Sequence, residues 1–184
     1  MARRLGKRVV LDVDFRADQW PDPRAFGVAI RSVLSSVDIV LGTTDEVCAC
    51  VLTDRAGVSV THSQVSDARV EGDVVDAVDQ LLRMGPTCVV EKTGSEGARI
   101  HERTASDTSV SVAPGFPVDI VNVLGAGDAF GAGFIRGLVD GRPLVACARF
   151  GNACGALVVT RHGCSASMPT LAEVNDFINS RGGL

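Results

Sequence analysis

Asp119-Ile-Val-Asn-Val-Leu-Gly-Ala-Gly-Asp-Ala-Phe-Gly-Ala-Gly-Phe134 is the stretch whose reading decides the fold. Its apolar start, Asp119 to Val123, predicts a strand running into Gly125-Ala126-Gly127, with a helix over Gly127 to Asp140 directly after. Small residues at that junction let backbone N–H groups face outward, and the unsatisfied amides of a first helical turn sit at the positive end of the helix dipole. Such a junction suits an anion, a phosphate above all. Asp128 falls in the first turn, where a carboxylate can take the proton of an alcohol attacking a phosphorus held by those amides. A tight turn with Asp128 as a helix cap is the plainer reading. It leaves Gly131, Gly133 and Gly137 unexplained, each costing about 1 kcal/mol relative to Ala in a helix, whereas close backbone packing accounts for them. The residues alone leave both readings open.

Upstream, Arg8 to Asp14 is a short apolar run that ends in carboxylates, as a buried strand delivering polar groups at its C-terminal end would. Helical spacing of Phe26, Ile30, Val33 and Leu34 predicts a helix over Pro23 to Ser35, followed by a strand at Asp38 to Leu41 and a short helix over Thr44 to Leu52. A further helix is predicted over Asp73 to Met84, stopped by Gly85-Pro86, then a strand over Thr87 to Glu91. Ala98 to Arg103 and Thr108 to Val112 read as antiparallel, edge-like strands. Helices are expected over Pro143 to Thr160 and Thr170 to Asn179. Alternating strands and helices predict an α/β fold of three layers, α/β/α, around a mostly parallel central sheet. No repeat, linker or domain boundary interrupts residues 1–184.

Composition narrows the classes. The 184 residues are 46% hydrophobic and 22% charged, which excludes disorder for the bulk of the chain. Aromatic residues make up only 4%, with no Tyr, so a core of β-branched and small side chains is expected, as in buried parallel strands. The net charge of −4 and the lack of a basic stripe argue against nucleic acid. The cluster Arg3, Arg4, Lys7 and Arg8 reads as a solvated end leading into a strand. Six Cys without a Cys-x-x-Cys pair, four of them in apolar runs, read as buried free thiols of a reducing cytoplasm. His62, His101 and His162 are scattered and stand at no zinc-ligand spacing from a Cys. No apolar stretch reaches the roughly 18 residues of a membrane span, and Asp12 and Asp14 break what would be a signal segment.

Val123 to Phe134 closely resembles the C-terminal signature of the ribokinase/PfkB carbohydrate kinase family. Glu91-Lys-Thr-Gly-Ser-Glu-Gly97 is similar to that family's strand and turn beside the nucleotide. Gly151 to Ala156, with Thr160-Arg-His-Gly163 and Met168-Pro-Thr170, is similar to its adenine-side helix and loop. Leu11-Asp-Val-Asp-Phe-Arg16 with Trp20, and Leu41 to Glu46, resemble the ketodeoxygluconate-type members, the inositol-pathway branch in particular. That branch tolerates Thr43 where most members carry Asn, and Asn122-Val-Leu124 where the commoner run is Asp-Thr-Thr.

The resemblance implies an ATP-dependent kinase acting on a sugar acid, with Asp128 as catalytic base and Gly125, Ala126 and Gly127 as anion hole. Glu46 would help hold Mg²⁺ through water; a plain helix N-terminal acid is the other reading. Lys92, Gly94 and Gly97 would line the nucleotide groove, although Lys92 also reads as a solvated strand end. Asn152 would sit near adenine or bridge helices. Arg16 would reach phosphates or the acidic sugar, or pair with Asp12 or Asp14. A K⁺ ion would lie among carbonyls of Asn122, Leu124, Val158, Arg161, Gly163 and Ser167. A homo-oligomer is implied as well. The family's chains are longer, so residues 1–184 are expected to be the C-terminal ATP-binding and catalytic portion, lacking an N-terminal part and a lid.

Overall fold

The computed structural model describes residues 2–62, 66–105 and 107–184. Met1 and the side chains of Arg3 and His62 lie outside the described residues. Contacts divide the chain into two compact units. One runs through Lys92 and takes in His101–Val110; the other holds Thr93–Ile100 and Ser111–Leu184.

In the first unit, β1 (Val10–Asp12), β2 (Ile39–Thr43) and β5 (Cys88–Lys92) run parallel. Val10 lies opposite Ile39 and Ile39 opposite Cys88. β2 and β5 bury four successive residues each, as strands covered on both faces do. Helix α1 (Pro23–Val33) starts where the Asp22 carboxylate accepts the Arg24 N–H and Pro occupies the first turn. Helix α3 (Val74–Arg83) is capped by Asp73 and turns Ala77, Val78, Leu81 and Leu82 inward. With the short helix α2 (Thr44–Ala49) it packs on β5. Val13, Phe15, Phe26, Leu34, Val40, Val47 and Val89 join this core. Each such side chain contributes about 1.5–3 kcal/mol on burial.

The hairpin β3 (Val58–His62) and β4 (Ser66–Val70) is antiparallel and forms a sheet of its own. The sequence reading passed it over, although Val58 and Val60 alternate with polar residues. β6 (Gly97–Arg103) and β7 (Thr108–Pro114) complete the larger sheet in the order β1-β2-β5-β6-β7. Both are antiparallel to their neighbours. Arg103 N–H donates to the Thr87 carbonyl while Thr93 N–H donates to that of Gly97, and Thr104 N–H donates to the Asp107 carbonyl between β6 and β7. The mixed sheet thus keeps the parallel core and antiparallel end strands expected of it.

The second unit is mostly helical: α4 (Ala126–Val139), α5 (Leu144–Val159) and α6 (Leu171–Asn179). Its core joins Phe116, Ala129, Phe150, Ala153, Val158, Val174 and Ile178. The strand expected over Asp119 to Val123 is absent. The N–H groups of Val121 and Asn122 both donate to the Val159 carbonyl at the end of α5, so they join no strand ladder, and Ile120, Val121 and Val123 stay exposed. Gly133 and Gly137 let α4 lie against α5. A Cβ on Gly133 would come 2.7 Å from the Cys154 sulfur, and one on Gly137 would come 2.8 Å from the Cys147 Cα. Their small size therefore serves helix packing along α4 and not the junction at its start.

Candidate active site

In the second unit, Gly125 has φ +84°, a left-handed conformation that turns the chain into α4. A Cβ there would meet the Cys164 sulfur at 2.9 Å and the Met168 methyl at 3.2 Å. The helical ladder begins with Ala129 N–H donating to the Gly125 carbonyl, and Ala126 N–H already donates to the Val123 carbonyl. The N–H groups of Gly127 and Asp128 therefore precede the ladder at the positive end of α4. Gly125 brings no capping side chain, and Asp128 is exposed in the first turn, so its carboxylate does not serve as the cap. The junction is an amide cradle with a free-standing carboxylate beside it.

The Gly94–Gly97 turn belongs to the same unit. Gly94 has φ +63° with open space where a Cβ would stand; Gly97 has φ +108°, and a Cβ there would collide with the Ala113 carbonyl. Asn152 is buried on α5, and its amide donates to the carbonyls of Ala113 and Pro114 at 2.9 and 3.0 Å. That is a bridge from helix to strand end. Of the six residues expected around K⁺, three offer carbonyls that already accept from protein donors. Gly163 accepts from the Asn122 amide at 3.0 Å, Ser167 from the Arg161 guanidinium at 3.2 Å, and Val158 from the Arg161 N–H at 3.0 Å. The Arg161 guanidinium that reaches Ser167 is itself paired with Glu173 at 2.6 Å. Leu124 contributes its N–H to the Asn122 side chain at 3.0 Å, which fixes the loop leading to Gly125.

In the first unit, three side chains meet at the C-terminal ends of the parallel strands. Lys92 Nζ lies 2.9 Å from Asp12 Oδ1 and 3.7 Å from Glu46 Oε2. Glu46 sits in a capping box. Its N–H donates to Thr43 Oγ1 at 3.2 Å, and its Oε2 accepts the Thr43 N–H at 2.6 Å. Burial pushes the Glu46 carboxyl up from the ordinary carboxylate range, against the opposing pull of Lys92 and the Thr43 N–H. Thr43, which stands where Asn is commoner, supplies the hydroxyl acceptor of this box. Lys92 is thus an ion-paired group and not a solvated strand end. Arg16 pairs with Asp14 at 2.8 Å, both partly exposed.

Among the described residues no group of three or more His, Cys, Asp or Glu side chains is placed to hold a metal unaided. Mg²⁺ needs no such cage, since it binds through one or two carboxylates together with phosphates and water. The hard oxygens of Glu46 and Asp12 fit that pattern, and both Glu46 contacts use Oε2. Sequence reasoning offered Asp12 only as a strand-end carboxylate and a partner for Arg16, and assigned no part to Thr44 and His101, which both meet Glu91, nor to Glu91 itself. A carboxylate interrupting the apolar run Cys88-Val-Val-Glu91 was the signal available.

Residues 1–171 match the pfkB family of carbohydrate kinases. The chain belongs to that family. It is 29% identical over 178 residues to a 5-dehydro-2-deoxygluconokinase of Clostridium beijerinckii, covering 97% of this chain and 48% of that one. It is 30% identical over 177 residues to one of Geobacillus kaustophilus, covering 96% and 48%. A putative ribokinase II of E. coli, solved with ATP and Mg²⁺, superposes with a TM-score of 0.73 at 26% identity over 97% of this chain and 50% of its own. Aminoimidazole riboside kinase of Salmonella enterica, solved with its riboside and an ATP analogue, superposes with a TM-score of 0.72 at 25% identity over 96% and 54%. The chain spans about half the length of the curated relatives it matches. No helix among the described residues is long and apolar enough to cross a membrane.

Proposed function

We propose that this pfkB-family chain serves the ATP-dependent phosphorylation of a primary hydroxyl on a sugar acid, 5-dehydro-2-deoxy-D-gluconate, as a cytoplasmic enzyme of inositol catabolism and part of a homo-oligomer. The observation that carries the reading is the start of α4, where left-handed Gly125 opens a pair of amides beside an exposed, non-capping Asp128. The substrate rests on the names of the relatives and on Leu11 to Arg16.

In this reading the anion hole expected of Gly125, Ala126 and Gly127 shifts one residue along, because the Ala126 N–H is taken up by the Val123 carbonyl, and the Gly127 and Asp128 amides stabilise charge on the transferring phosphoryl group. The acceptor oxygen bonds to the γ-phosphorus as its bond to the bridging oxygen breaks, ADP departs with that electron pair, and Asp128 takes the hydroxyl proton. Gly94 and Gly97 admit the nucleotide to the turn they shape, and Asn152 holds the neighbouring strand end against α5 beside the adenine. In the first unit Glu46, steadied by Lys92 and Thr43, would hold Mg²⁺ through water, and the Asp12 carboxylate offers a second hard oxygen. When bound, Mg²⁺ would supply charge neutralisation for phosphate oxygens. Arg16 offers a planar donor fork to a carboxylate or phosphate.

Asp128→Asn is expected to cut sugar-dependent ADP release by about 10²–10⁴-fold while ATP binding is little changed. Retained turnover would remove the base assignment. A panel of 5-dehydro-2-deoxygluconate, 2-keto-3-deoxygluconate and fructose decides the acceptor, with ADP release as the readout. The half-length match to the relatives favours a second reading, a nucleotide-binding module without turnover. Calorimetry that finds ATP binding with no sugar-dependent ADP release selects the module.

A further inference from the structure

Cys88-Val-Val-Glu91 ends a buried run with a carboxylate. Glu91 is fully buried, at a position whose partner on β2 is Gly42. Taking a carboxylate out of water is costly, and well-packed apolar residues commonly do as well or better for stability at such sites. What Glu91 gains there is partners on two other elements. Its Oε1 accepts the Thr44 hydroxyl at 2.7 Å, and its Oε2 lies 3.2 Å from Nε2 of His101, itself buried on β6.

Thr44 is the first residue of α2, between Thr43 and Glu46 of the capping box. Lys92, the next residue on β5, reaches Glu46 of the same turn at 3.7 Å. Two successive residues of one strand therefore grip the first turn of one short helix, Glu91 through Thr44 and Lys92 through Glu46. A six-residue helix cannot hold its own start by propensity, because nucleating a turn is unfavourable and few ladder bonds follow it.

We infer that Glu91, oriented by His101, is a positioning residue that fixes the first turn of α2 and thereby the carboxylate of Glu46. The role in turnover rests on the kinase reading above; the role in holding the turn does not. Thr44→Val deletes the hydroxyl and keeps the shape, Thr44→Ser restores the hydroxyl, and Glu91→Leu removes the acceptor. Amide hydrogen exchange by NMR is the first readout. In Thr44→Val the amides of Thr43 and Glu46 exchange about tenfold faster, as one lost tertiary bond predicts, while those of Val89 and Val90 keep their rates. Thr44→Ser returns the wild-type rates.

Titration of Mg²⁺ in the sugar-dependent ADP-release assay is the second readout. The half-saturating concentration rises about tenfold in Thr44→Val and in Glu91→Leu, with the sugar KM unchanged, as for other residues that orient a metal ligand. Should Glu91→Leu fail to fold, Thr44→Val decides by itself. Unchanged exchange at Thr43 and Glu46 in Thr44→Val overturns the inference. Wild-type protein without sugar-dependent ADP release sinks the kinase reading, and the exchange result still decides the brace.

Discussion

Glu46 and Glu173 occupy the same local arrangement and end with opposite acidity. Each closes a capping box with a Thr three residues before it, Thr43 or Thr170, and each faces a cation, Lys92 at 3.7 Å or Arg161 at 2.6 Å. Glu173 is solvent-facing, so its hydrogen bonds from Thr170 and then Arg161 hold its carboxyl down at about 2. Glu46 is largely buried, and lost hydration outweighs the same favourable partners, so its carboxyl is pushed up. Their contributions to stability run in opposite directions. Glu173 adds stability that is present above the ordinary carboxylate range and lost as pH falls toward about 2. Ionising Glu46 costs the fold, and the cost grows as pH rises from the ordinary range through its raised value. Carboxyl NMR titration is expected to find the two midpoints on either side of that range, and Glu46→Gln to flatten the loss on the rising limb. Two midpoints on the same side would contradict the burial argument. The Thr-x-x-Glu spacing of both boxes is readable in the chain; which of them is buried is not.

At the scale of elements, a glycine's meaning depends on what passes beside it. Gly94 and Gly97 bound one turn and both have positive φ, yet Gly94 faces open space while Gly97 lies against the end of β7. Gly94→Ala is expected to cost about 1–2 kcal/mol, the price of a left-handed non-glycine residue. Gly97→Ala adds a collision with the Ala113 backbone and is expected to cost about 3 kcal/mol or more. Urea unfolding of the two variants measures the difference, and equal losses would show the turn to be built otherwise. The Gly-x-x-Gly pattern was legible, but not the inequality of its members. The same holds for α4, where Gly133 and Gly137 answer to α5. It holds also for Asp119 to Val123, whose apolar run promised a strand until the Val159 carbonyl took up its N–H groups.

On the scale of the whole chain, the cysteines report the core. Cys48, Cys50, Cys88, Cys147 and Cys154 are buried, while Cys164 is partly accessible beside Gly125. Burial pushes the thiols of Cys50 and Cys88 up to about 12 and those of Cys48 and Cys154 up to about 11. Native alkylation near pH 8, read by mass spectrometry, is expected to label Cys164 first, and all six sites only in denaturant. Two or more buried thiols labelling alongside Cys164 would contradict the packing. What the sequence by itself determined is local and periodic. The parallel strands β1, β2 and β5, their helices, the end hairpin of β6 and β7, and the amide-rich start of α4 all follow from residue spacing and from glycines that few other residues can replace. The tertiary structure alone decided which polar groups meet. Asp12 reaches Lys92 across 80 positions and Thr44 reaches Glu91 across 47, because neighbouring parallel strands bring distant segments to one sheet edge. No periodicity along a chain records a contact made only when the chain returns to itself.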